Sequence, residues 1–177
     1  MKKVILALLL ALVSAISSGC ASGRIHERSY LRAAAVTGTQ QKEAVLAFFG
    51  EEDRIAASGG DMQSMMKNAE LKNGRDIFTG YTELIIVDGK ECKGILTHML
   101  NKWKLSPSCR IVCCEDGQSL LEEYDAEQLI GISEQAVKQG IAPECDIVTV
   151  LGQLCESGTA AAAELRPDGT AGSCIIT

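Results

Sequence analysis

Cysteine is the residue with the widest chemical choice in this chain, present eight times against only two histidines. A cysteine carries lipid, pairs as a disulfide, binds metal or attacks as a nucleophile, and its surroundings decide which. Cys20 closes the segment Ser17-Ser18-Gly19-Cys20. Before it, Met1-Lys2-Lys3 supplies two positive charges and Val4 to Val13 contains no polar residue. A basic start, an apolar stretch of roughly 7–15 residues and a small-residue cleavage region make a secretory signal. A spanning helix needs about 20 apolar residues, so this stretch suits cleavage better than permanent insertion. Ser17 to Cys20 resembles a lipobox, which implies a diacylglyceryl group on Cys20, although Ser17 stands where a leucine is usual. Two acyl chains anchor stably where one is marginal. Ala21-Ser22-Gly23 reads as a flexible spacer.

Seven cysteines remain: Cys92, Cys109, Cys113, Cys114, Cys145, Cys155 and Cys174. No Cys-x-x-Cys pair occurs, and His26 and His98 are too few to complete a zinc site. Cys109 and Cys113 alternate along one strand, about 13 Å apart at 3.3 Å per residue, too far to bridge. Most of the seven are expected to be small buried apolar residues, although an exported protein could pair some of them.

Other chemistry is sparse. The chain has no Gly-x-Ser-x-Gly elbow, no phosphate-cradling Gly-rich lysine loop and no His-Glu-x-x-His pair. His98 reads as a partly exposed helix residue, and His26 lies in the polar N-terminal approach. Glu115-Asp116 and Glu122-Glu123 read as solvated faces. Glu83, next to a buried strand, is expected to form a structural ion pair with Arg75. No catalytic residue, cofactor site or metal site is expected.

The elements that would position these groups follow from periodicity. Residues 42–49 form a short apolar run closed by Gly50, a strand. Ser58-Gly59-Gly60-Asp61 breaks it, and Met62, Met65, Met66 and Ala69 then trace one face of a helix. That methionine stripe is expected to be core. Leu84–Val87 is an apolar strand ended by Asp88-Gly89, followed by an amphipathic helix through Trp103. Pro107 precedes a strand at 109–114. Helices are expected at 119–124, 126–139 and 145–156. The strands 159–166 and 170–177 flank the turn Pro167-Asp168-Gly169, a closing hairpin.

The sum is an α/β fold: a mixed β-sheet flanked by helices, a helical C-terminal half and a closing β-hairpin. The expected organisation is a signal peptide at 1–19, anchor and spacer at 20–30, and one domain at 31–177. The formal charge is -6, and because the signal holds Lys2, Lys3 and no acid, the part from Cys20 onward carries -8. That balance argues against nucleic acid and against electrostatic attachment to anionic lipid.

Four ordered segments carry a family resemblance. The charged approach Arg24-Ile25-His26-Glu27-Arg28 leads into Ala33-Ala34-Ala35-Val36-Thr37-Gly38. A helix at 62–72 precedes Gly74-Arg75-Asp76-Ile77-Phe78-Thr79-Gly80-Tyr81-Thr82-Glu83 and the strand Leu84–Val87. A helix at 94–103 leads to a strand, and Gly172-Ser173-Cys174-Ile175-Ile176 closes the series. In this order they resemble the N-terminal domain of the Ger(x)C lipoproteins, the C subunits of bacterial spore germinant receptors. Many relatives carry histidine where this chain has Tyr81, and a tryptophan where Ala21 follows the lipid cysteine. The resemblance covers the family's first domain; relatives continue through others.

The resemblance implies a non-enzymatic receptor subunit, held by Cys20 on the outer face of the spore inner membrane beside membrane-embedded partner subunits. Two rivals are a solute-binding lipoprotein of a transporter and a thiol-dependent extracytoplasmic enzyme using Cys113 or Cys114.

Overall fold

A computed structural model describes residues 28–38 and 40–177. The signal, Cys20 and His26 lie outside the described residues. Three strands come first among the described residues: β1 (Arg28–Thr37), β2 (Lys42–Phe48) and β3 (Arg54–Gly59). Helix α1 (Met62–Asn73) follows, then β4 (Asp76–Phe78) and β5 (Leu84–Val87). Helix α2 (Cys92–His98) runs on into a π-helical turn, Met99–Trp103, before β6 (Arg110–Cys113). Helices α3 (Gly117–Glu123), α4 (Ala126–Lys138) and α5 (Ile147–Ser157) precede the hairpin of β7 (Ala160–Leu165) and β8 (Ala171–Ile176). The fold is α/β, with the helical stretch and closing hairpin where the periodicity puts them.

The sheet runs β3-β2-β1-β5-β6-β7-β8, with β4 also on β1. β1 pairs antiparallel with β2 and parallel with both β4 and β5. Every side chain of Leu84–Val87 is buried whichever way it points, so both faces of the sheet are covered. Ala33, Ala34 and Ala35 are fully buried on β1. Their small size lets helices approach: a Cβ on Gly117 would lie 2.6 Å from Ile86 Cγ2 and 3.7 Å from the Ala35 Cβ. Helix α3 therefore lies directly on the sheet at its first residue.

The structure bears out several local expectations and changes the order of the first elements. Arg28, Ser29 and Tyr30 belong to β1, where they pair in parallel with Asp76, Ile77 and Phe78 of β4. Three strands precede the first helix, in place of an alternation from the first strand onward. β3 carries Ala-Ala-Ser-Gly, which has little β propensity, and forms because β2 and α1 hold it. The methionine stripe is core: Met62 and Met65 are buried and Met66 packs against them. Asp61 caps α1, its carboxylate accepting the Ser64 N–H at 2.7 Å while the Ser64 hydroxyl accepts the Asp61 N–H at 3.0 Å. Gly169, at φ 75°, turns the closing hairpin.

Candidate functional site

Tyr30 pairs with Phe78 and Ala33 pairs with Leu84. Between these points β1 spends only Leu31 and Arg32, while the facing chain spends Thr79 to Glu83. The excess is extruded as a loop at the end of the sheet where β1, β5 and β6 begin. Thr82 fixes it, donating its N–H and its hydroxyl to the Thr79 carbonyl at 3.1 and 2.7 Å. The Thr79 hydroxyl donates to the Trp103 carbonyl and ties the loop to the π-helical turn. Glu83 returns to the sheet, its N–H donating to the Arg32 carbonyl at 2.8 Å.

That loop and the segment Lys104–Ser108 wall an open cleft of about 870 Å³, whose lining includes Tyr30, Phe49, Tyr81, Arg110, Ile130 and Glu134. Tyr81 is 63% exposed at the loop tip. Its ring stacks on Tyr30 with centroids 6.1 Å apart and meets Phe78 edge-on at 5.1 Å. Gly80 gives Phe78 room, since a Cβ there would lie 2.8 Å from the ring. Lys104 sits at φ 57°, a left-handed conformation that side chains seldom adopt, and such residues gather at functional sites.

Glu83, Arg110 and Glu134, which line the cleft, each form an ion pair. Arg32 donates to Glu83 at 3.0 Å and to Glu127 at 3.2 Å, with its guanidinium 5.1 Å from the centre of the Phe49 ring. Burial opposes its charged form, but the bonds and charges of the two glutamates outweigh that and raise its pKa. Arg110 donates to Glu134 at 3.1 Å. Glu83 therefore forms an ion pair as expected, but with Arg32. The parallel register of β1 and β5 supplies a partner that the nearby Arg75 only mimicked.

The cysteines divide. Cys113 and Cys174 form a disulfide across a sequence separation of 61 residues, joining β6 to β8 over the intervening β7. Cys92, Cys109, Cys114 and Cys145 are buried free thiols, and Cys155 is exposed. Burial pushes the Cys92 thiol up to about 11 and that of Cys109 up to about 12, and raises Cys114 and Cys145. A reactive cysteine needs exposure and a lowered pKa; Cys113 is bonded, and Cys114 has neither.

His98 is half-buried at the opposite end of the sheet, in a shallow depression with Lys42, Asp61 and Glu91. Asp61 is held below the usual carboxylate range, first by the Ser64 N–H and in small part by His98. Among the described residues no group of three His, Cys, Asp or Glu side chains is placed to hold a metal ion. No helix among them is long and apolar enough to cross a membrane. The cleft is hidden from sequence reasoning because its walls come from five separate segments; the tight Thr79-Gly80-Tyr81-Thr82 run is its one local signal. No protein-family model, curated protein or solved structure matches the chain.

Proposed function

We propose that this chain is a lipid-anchored, non-enzymatic subunit of a spore nutrient germinant receptor, held at the extracytoplasmic membrane face by Cys20 beside membrane-embedded partner subunits. The observation that carries this reading is the order of the four segments that resemble the Ger(x)C domain. They run in sequence through one continuous α/β domain: into β1, through α1 and the Gly80-Tyr81 loop into β5, along α2 to β6, and out through β8. The Cys113–Cys174 disulfide supports export, because such bonds persist in oxidising compartments. The sealed thiols support a role in assembly over covalent catalysis. In a spore-forming host, the tagged full chain should co-purify with multi-span membrane proteins, and its deletion should slow nutrient-triggered germination. Germination at an unchanged rate in the deletion strain would remove the proposal.

The cleft favours a second reading, a solute-binding lipoprotein. Its volume lies within the range of roughly 300–1,000 Å³ typical of small-molecule sites. Saturable heat on titrating a small solute into the isolated domain, lost in Tyr81→Ala, would support that alternative.

A further inference from the structure

The chain has seven aromatic residues, and four of them, Tyr30, Phe49, Phe78 and Tyr81, gather where β1 begins. Phe48 and Trp103 are buried, and Tyr124 donates its hydroxyl to Pro167 at the hairpin. Four aromatic side chains at one end, with Tyr81 63% and Phe49 38% exposed, are more than a core needs. Tyrosine rings such as those of Tyr30 and Tyr81 concentrate at membrane–water interfaces, the ring against apolar groups and the hydroxyl in water, and phenylalanine beside them adds apolar area.

We propose that this ring cluster is a membrane-seating surface, and that it holds the domain upright on the bilayer to which Cys20 tethers it. The inference rests on the anchor proposed above. Its first argument is reach. Eight residue steps separate Cys20 from Arg28, a span of at most about 28 Å when fully drawn out. β1 itself extends about 30 Å from Arg28 to Thr37. The far end of the sheet therefore meets the lipid only with the tether stretched to its limit, whereas the ring cluster meets it with slack to spare.

Charge supplies no attraction to anionic lipid at either end, which leaves the rings to make the contact. Asp61, Asp88, Glu91, Glu115 and Asp116 stand at the far end, at or just beyond the ends of β3, β5 and β6, interspersed with Lys42, Lys90 and Lys93. At the near end Arg32 pairs with Glu83 and Glu127 and Arg110 pairs with Glu134, while Lys104 lies in the cleft wall and Glu51, Glu52 and Asp53 follow Phe49. A contact made by uncharged rings is insensitive to salt, unlike a basic patch.

The experiment uses the full chain, purified from membranes with its lipid and reconstituted into phosphatidylcholine vesicles with or without brominated acyl chains. Tryptophan is introduced as Tyr81→Trp, as Phe49→Trp, and at the far end as Gln63→Trp, each compared with the parent protein and its buried Trp103. Bromine should quench the emission of the first two variants about twofold, at low and high salt alike, and leave the third unchanged. Equal responses at all three positions would overturn the seating. Intact mass separates the two layers of the argument. A Cys20 without diacylglyceryl overturns the anchor and the seating together. A lipidated chain whose Tyr81→Trp and Phe49→Trp variants both go unquenched overturns the seating alone.

Discussion

Arg32 contacts two carboxylates and the face of a ring, and none of these partners is near it in sequence. Its role is invisible in the sequence because strand register, a property of the whole sheet, decides which side chain lies beside Glu83. Burial of the thiols is legible, since cysteine in apolar runs is commonly buried. In the native domain Cys155 alone of the described free thiols should react quickly with iodoacetamide, and Cys92, Cys109, Cys114 and Cys145 only after unfolding. Mass spectrometry after timed alkylation tests this; rapid labelling of Cys114 would reopen the thiol-enzyme reading. Asp146 caps α5, accepting the N–H groups of Val148 and Thr149 at 3.1 and 3.0 Å and the Thr149 hydroxyl at 2.6 Å. Partial burial opposes its charged form, but these bonds together outweigh it and lower the pKa. A lowered folded-state value gives stability that is present above the unfolded pKa and lost as pH falls through the folded one. Asp146→Ala should cost about 1 kcal/mol in urea unfolding at neutral pH, and the difference should shrink below about pH 4.

Elements are legible where the pattern is local. The strand at β5 and the helices at α1 and α4 lie within a residue or two of their expected bounds. β1 escapes a periodicity reading because its run of alanines has no β propensity of its own; its neighbours on both sides make it a strand. The same alanines set a packing distance that can be tested. Gly117→Ala drives a methyl into Ile86 and should cost about 1–3 kcal/mol, read as a lower urea midpoint at unchanged slope. The disulfide is not legible, since seven cysteines allow many pairings and its halves lie on strands that are not neighbours. Replacing Cys113 and Cys174 with serine frees a 61-residue loop in the unfolded chain, a loss of about 4 kcal/mol in the chain-entropy model. An unchanged melting temperature for that double variant would mean that the hairpin is held without the bond.

At the scale of the molecule, the two ends of the sheet differ. One gathers the rings and the cleft, the other the cap of α1 and the depression at His98. The fold class is readable from the order of elements, but this polarity is not, because each end is assembled from loops scattered through the chain. The proposed tether enters at the aromatic end. Cys20→Ala should move the protein from the membrane to the soluble fraction with its far-ultraviolet dichroism unchanged. Retention of that variant in washed membranes would show that something other than lipid holds it.

The place of β1 in the sheet has a mechanical consequence. The anchor proposed at Cys20 would pull on a middle strand along its own length, with β2 on one side and β4 and β5 on the other. The ladder hydrogen bonds lie across that direction, so they share the load in shear and do not open one after another as an edge strand would. Forced unfolding is governed by the rate of the first rupture, which here requires several bonds to break at once. A domain loaded through β1 therefore resists extraction more firmly than one loaded through an edge strand such as β3 or β8.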